Sequence, residues 1–199
     1  CTKPGVLAAI QSPELDDLLA TASEVTRTRA PVAMLNAGVR DNFEASMQVL
    51  KEKAELVAIS DEAPDPSGNE AACQLFVADA RAFLADPALR AEAFGPASLV
   101  LRATSEEELI ELAHSLEGNL TASLHAGKGD SAIVDRLLPI LESKAGRVLW
   151  NGFPPGVLPT PSTHHGGPWP ATTDARHTSI GLFGYRRFVR PVCRQGFPS

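Results

Sequence analysis

The chain has 199 residues, 44% of them hydrophobic and 21% charged, with a net charge of −6 at neutral pH. That balance supports a hydrophobic core and excludes disorder along the whole chain. The acidic excess opposes phosphate backbones, and no apolar run reaches the roughly eighteen residues a membrane span needs, so neither nucleic acid nor a membrane is an expected partner.

Val6 to Ile10 reads as a short strand, and Ser12-Pro13-Glu14 as a helix start with a cap, a first-turn proline and an acid on the dipole. Leu15, Leu18, Leu19, Ala22 and Val25 then form one apolar stripe. A second helix is predicted over 42–54, with Phe43, Met47 and Leu50 on one face, followed by the run Leu56 to Ile59 and a Pro, Gly and Asp-rich loop over 61–69. Leu75 to Ala78 and Ser98 to Leu101 read as strands with both faces covered, separated by a short helix near 87–93. Thr104-Ser105-Glu106-Glu107 reads as a capping box opening a helix that stops before Gly118. Thr121 to His125, a helix over 130–143 and Arg147 to Trp150 complete a strand, helix, strand unit.

Alternation of this kind predicts an α/β fold: a mainly parallel open sheet covered by helices. Residues 151–173 form a long irregular stretch rich in Gly, Pro, Ser and His, and such length in a compact domain points to a site. Ile180 to Val192 reads as a C-terminal strand or arm, in which Arg186, Arg187, Arg190 and Arg194 mark a solvated face. One domain is expected over residues 1–179, with 180–199 as the arm and a possible oligomerisation element.

Cys1, Cys73 and Cys193 are odd in number and in no C-x-x-C pair, which predicts reduced thiols rather than a disulfide framework or a zinc site. With no basic-then-apolar leader ahead of Cys1, the expected location is cytoplasmic. A first residue that is Cys rather than Met reads as a fragment, a processed product or an engineered domain. Gly127-Lys128-Gly129-Asp130-Ser131-Ala132 matches the dinucleotide-binding pattern in spacing. The next strand, however, runs into Asn151-Gly152 where that pattern wants an acid, so an ordinary tight turn is the reading. His164-His165 reads as a loop pair, since adjacent side chains seldom converge on one ion; no metal site is expected.

Cys1 with Lys3 and a tight turn close behind offers a thiol beside a cation, the setting a nucleophile needs. In Glu92-Ala93-Phe94-Gly95-Pro96 a carboxylate and an aromatic stand two apart, so an extended segment projects both to one side before the turn. Such a pair can grip a ribose hydroxyl and bound a flat ring.

Cys1, the Glu92-to-Pro96 motif and the later strand ending in Asn151 together resemble the aldehyde dehydrogenase superfamily. Within it, Cys1-Thr2-Lys3-Pro4-Gly5, Thr163-His164-His165-Gly166-Gly167-Pro168-Trp169-Pro170 and Arg190-Pro191-Val192 resemble the NADP-dependent α-ketoglutaric semialdehyde (2,5-dioxovalerate) dehydrogenases. The resemblance implies the catalytic half of an enzyme that oxidises an aldehyde, such as 2,5-dioxopentanoate, to a carboxylate. Cys1 would be the nucleophile, passing through a thiohemiacetal and a thioester. Glu92 would hold the nicotinamide ribose and Phe94 would bound the nicotinamide ring, while Phe153 and Trp169 would shape the acyl pocket.

The cofactor, NADP or NAD, would be bound mainly by a missing N-terminal half, so the chain alone is expected to be inactive. The same half is an expected partner, and uncovered faces together with the arm predict homo-oligomers. Two rival readings stand beside this one. A mature chain beginning at Cys1 fits an N-terminal-nucleophile hydrolase, which calls for stacked antiparallel sheets. A non-catalytic binding module needs no chemistry at all.

Overall fold

The computed structural model describes residues 3–65, 67–154, 156 and 158–198; Cys1 lies outside them. The described residues gather into two compact units, one from Lys3 to Ser115 and one from Leu116 onward.

The first unit runs β1 (Val6–Ile10), α1 (Pro13–Thr28), β2 (Val32–Ala33), α2 (Ala37–Lys53), β3 (Glu55–Ile59), β4 (Glu70–Ala71), β5 (Gln74–Asp79), α3 (Ala80–Ala85), α4 (Pro87–Arg90), β6 (Ala97–Ala103) and α5 (Glu106–Ser115). Its main sheet has the order β1-β6-β5-β3, with β1, β6 and β5 parallel and β3 antiparallel to β5. This is the mainly parallel, helix-covered sheet that the sequence predicts, and it differs from the stacked antiparallel sheets of the hydrolase reading.

Local chemistry explains where the helices begin. Ser12 Oγ accepts the Leu15 N–H at 3.3 Å with Pro13 in the first turn, so α1 starts as predicted. Asn36 Oδ1 accepts the Val39 N–H at 3.0 Å, and that cap starts α2 five residues ahead of the predicted Asn42. At α5 the capping box is shifted by one: Ser105 Oγ accepts the Glu108 N–H at 3.3 Å, while the Glu108 carboxylate accepts the Thr104 N–H at 2.7 Å.

Both faces of the sheet are buried. Leu75, Val77 and Val100 pack against Leu15 and Leu19 of α1. By strand alternation Phe76, Leu99 and Leu101 face the other way, where α3 and α5 lie against β5, β6 and β1. Each such side chain contributes about 1.5–3 kcal/mol on burial.

The second unit begins with β7 (Asn119–Leu124), α6 (Ser131–Lys144) and β8 (Ala145–Trp150), a parallel strand pair joined by its crossover helix. Beyond Trp150 the described residues are irregular apart from a 3-10 turn at Gly184–Phe188. Of the two readings offered for 180–192, then, no strand forms: alternation needs a neighbouring strand to pair with, and here Arg186 instead stacks over the Phe183 ring at 4.1 Å. The irregular segment is not loose. It crosses the starts of β7 and β8 so closely that a Cβ on Gly146 would sit 2.0 Å from Gly166 O and one on Gly118 2.2 Å from Pro168 O.

Candidate active site

In a parallel sheet all strands begin at one edge, and in the first unit that edge gathers the candidate residues. Lys3-Pro4-Gly5 enters β1 there, Glu92-to-Pro96 enters β6 and Cys73 enters β5. Backbone bonds lock these entries together: Leu99 N–H donates to Gly5 O and Gln74 N–H to Pro96 O, each at 2.9 Å.

Lys3 ties the first segment to the second. The residue as a whole is exposed, but Nζ turns inward to donate to Ala97 O, to Ser98 Oγ at 3.3 Å and to Pro4 O at 3.0 Å, while Ser98 Oγ donates to Pro4 O at 2.9 Å. Burial pushes the ammonium below the ordinary lysine range, with the Glu92 carboxylate and then Cys73 partly opposing that shift. A cation is therefore fixed two residues after Cys1 and within the field of Glu92.

The Glu92 motif owes its shape to Gly95. Helix α4 ends at Arg90 and Ala91 turns extended, with φ −64° and ψ 133°. A Cβ on Gly95 would lie 2.3 Å from Phe43 Cδ2, so only glycine lets the chain pass over this fully buried ring of α2. Residues 92–94 are thereby held off the core: Glu92 is exposed and Phe94 is half-exposed, at 51%. A solvent-facing carboxylate beside a half-bare aromatic can meet a sugar hydroxyl and a flat ring.

The two remaining candidates do not come together. Phe153 follows β8 at the far end of the β7–β8 pair, its ring 5.0 Å from that of His125 and tilted by 44°. Trp169 lies where the irregular segment crosses the strand starts, beside a groove of about 420 Å³ lined by Leu116, Glu117, Ser143 and Lys144. Both rings are mostly exposed, at 61% and 75%, so neither plugs a core.

The tight-turn reading of Gly127-to-Ala132 has a local basis. Asp130 Oδ2 accepts the Gly127 N–H at 2.8 Å, so the chain's own carboxylate takes a donor that a phosphate would use. At the histidine pair, His165 N–H donates to Thr178 Oγ1 at 2.8 Å and its carbonyl accepts the Ser179 N–H at 2.9 Å, which pins the irregular segment to itself. Burial, then the neighbouring Arg147, lowers the His165 pKa below the usual histidine value. Among the described residues no cluster of His, Cys, Asp and Glu could hold a metal ion, and no helix is long and apolar enough to cross a membrane. Cys73 and Cys193 are free thiols.

Two features escaped the sequence reading: the inward turn of Lys3 and the way Asn151 ends β8. Asn151 adopts a left-handed backbone with φ 47°, and its side chain bonds to Ala126. The fondness of Asn for that conformation was the available signal.

No family model matches the chain. It is 39% identical over all 199 residues to alpha-ketoglutaric semialdehyde dehydrogenase 2 of Azospirillum brasilense, and 40% identical over 197 residues to the alpha-ketoglutaric semialdehyde dehydrogenase of Acinetobacter baylyi. The chain spans 38% and 37% of the length of these curated relatives. Betaine aldehyde dehydrogenase from Staphylococcus aureus, solved in complex with NAD+, superposes with a TM-score of 0.66 at 19% identity, covering 98% of this chain and 41% of that one. Succinic semialdehyde dehydrogenase from Streptococcus pyogenes, solved with NADP+, gives 0.65 at 19% identity, covering 84% and 36%. The chain is thus alike in sequence along its whole length to the former pair, of whose length it spans under two-fifths, and alike in fold to the latter pair.

Proposed function

We propose that these residues, together with the further length that their relatives have, oxidise an aldehyde to a carboxylate, and that the aldehyde is a semialdehyde such as 2,5-dioxopentanoate. The observation that carries the reading is the shared strand edge, where Lys3, two residues from Cys1, is hydrogen-bonded to the residues that directly follow the Glu92-to-Pro96 motif. Cys1 is the nucleophile: its sulfur bonds to the aldehyde carbon, and the carbon later leaves as a carboxylate when water breaks the resulting thioester. NADP or NAD, when bound, supplies the hydride acceptor. Glu92 holds the nicotinamide ribose and Phe94 bounds the ring.

Because Phe153 and Trp169 lie at opposite ends of one strand pair, they border separate surfaces of the second unit. We assign the acyl chain to Phe153 and keep Trp169 as a pocket residue through its own groove. The remaining length of the relatives supplies most of the cofactor site, so the 199 residues alone form no NADPH. We further assign the enzyme to the cytoplasm, in keeping with its free thiols. Residues 180–198 expose Leu182, Tyr185, Phe188, Val189, Val192 and Phe197, and we propose them as a self-association surface, read by sedimentation at rising concentration.

The test is Glu92→Gln in the full-length protein. It should raise KM for NADP about tenfold or more while leaving Cys1 alkylation unchanged, and an unchanged KM would remove Glu92 from the cofactor site. Turnover separates this reading from a non-catalytic module: Cys1→Ala abolishes aldehyde oxidation while cofactor titration shows NADP still bound, whereas a module turns over no aldehyde in either form.

A further inference from the structure

The exits of β7 and β8 are fastened by a side chain as well as by backbone. The parallel ladder ends at Leu124 opposite Trp150, and the Asn151 N–H adds one more bond to Leu124 O at 2.9 Å. Asn151 then turns left-handed and extends the ladder by a further rung with its own amide. Its Oδ1 accepts the Ala126 N–H at 2.8 Å and its Nδ2 donates to Ala126 O at 3.0 Å. It is the one non-glycine residue with positive φ among the described residues. Left-handed backbone at a non-glycine persists where its surroundings hold it, and such positions gather at functional sites.

The clamp sits between two rings. His125 immediately precedes Ala126 on one strand exit, and Phe153 follows Asn151 by two on the other, so fixing Ala126 to Asn151 fixes the rings against each other at 5.0 Å. Neither ring is covered: Phe153 is 61% exposed and His125 is exposed as well. A buried ring pair would be ordinary core packing; an exposed pair held by three hydrogen bonds is a built wall. One member is wholly apolar, while the other carries ring nitrogens that can donate a hydrogen bond.

We infer that His125 is a specificity-determining residue and Asn151 its positioning residue: Phe153 packs on the carbon chain of the aldehyde, and His125 donates to an oxygen at the far end of that chain. The inference rests on the proposed function, in particular on Phe153 bordering the aldehyde. It says which side chain reads the far-end carboxylate or keto oxygen of the substrates already proposed.

The test uses the full-length protein with 2,5-dioxopentanoate and pentanal, five-carbon aldehydes that differ in far-end oxygen. His125→Phe keeps the ring pair and removes the donor. It should lower the preference for 2,5-dioxopentanoate, measured as the ratio of kcat/KM values, by about tenfold, the size of one ordinary hydrogen bond, chiefly through KM. Asn151→Gly accepts the same backbone and removes only the clamp, so it should reproduce the loss while the far-ultraviolet circular dichroism spectrum stays unchanged. A purely structural role would lower stability and leave the ratio alone. An unchanged ratio in both variants, with the parent enzyme active, overturns the inference. A parent protein that oxidises neither aldehyde with NADP or NAD overturns the proposed function instead.

Discussion

Replacing Gly95 with alanine tests the packing that presents Glu92 and Phe94. The new Cβ would meet three carbons of the Phe43 ring at 2.3, 2.7 and 2.8 Å, against the roughly 3.5–4.0 Å at which carbon atoms rest. Either the ring or the 92–96 segment must move by about 1 Å. Phe43 is 1% exposed, so the ring has nowhere to go and the cost should sit near the top of the overpacking range, about 3 kcal/mol. Phe43→Ala alone should cost about 3–5 kcal/mol through the lost burial and its cavity. In the double variant the methyl group enters the space that the ring has left, so the two costs should fall short of additivity by about 2 kcal/mol. Urea unfolding followed by circular dichroism measures all four corners of the cycle. A Gly95→Ala cost below about 0.5 kcal/mol, or an additive double variant, would refute the packing argument.

Lys3→Met removes the cation fixed beside Ala97 and Ser98, and should slow Cys1 alkylation by iodoacetamide at neutral pH about threefold or more, with Cys73 and Cys193 as internal controls followed by mass spectrometry. The Glu108 carboxylate is held below the usual range, first by the Thr104 N–H and then by Arg81 at 2.7 Å. A depressed carboxylate pKa stabilises the fold above the unfolded value of about 4.3 and is lost as pH falls through the folded one. The difference in urea midpoint between the parent and Glu108→Gln should therefore be full at pH 7 and close toward pH 3, and a constant difference would contradict the assignment.

What the sequence made legible was local. Ser12-Pro13-Glu14 announces α1 because cap, proline and acid all act within one turn. The box at α5 was displaced by one because Thr104 and Ser105 stand beside three consecutive glutamates, so spacing alone offers two registers and only the backbone selects Ser105. The direction of β3 is not local at all: Leu56 to Ile59 reads as a strand either way, and its antiparallel pairing with β5 follows from where α2 returns the chain. Arg186, Arg187 and Arg190 are interleaved with Tyr185, Phe188 and Val189, but Arg186-Arg187 and Phe188-Val189 stand side by side, and without a partner strand the segment coils.

The candidate site divides in the same manner. Glu92 and Phe94 were readable from a contiguous motif, whereas Phe43 beneath Gly95 comes from a helix fifty residues earlier. Phe153 and Trp169 share one irregular stretch, and the resemblance gives both to one acyl pocket. Gly166 and Gly167 carry that stretch back across the starts of β8 and β7, which separates the two rings by the length of the strands. The division of the chain after Ser115 was invisible because strand and helix alternate evenly through it.

The most direct test of the central claim is to quench the full-length protein in acid during turnover of 2,5-dioxopentanoate with NADP and to map its cysteines by mass spectrometry. The account predicts an acyl adduct on the peptide carrying Cys1 and none on Cys73 or Cys193, together with loss of turnover in Cys1→Ala. Turnover that persists in Cys1→Ala, with no adduct on Cys1 in the parent, would contradict it.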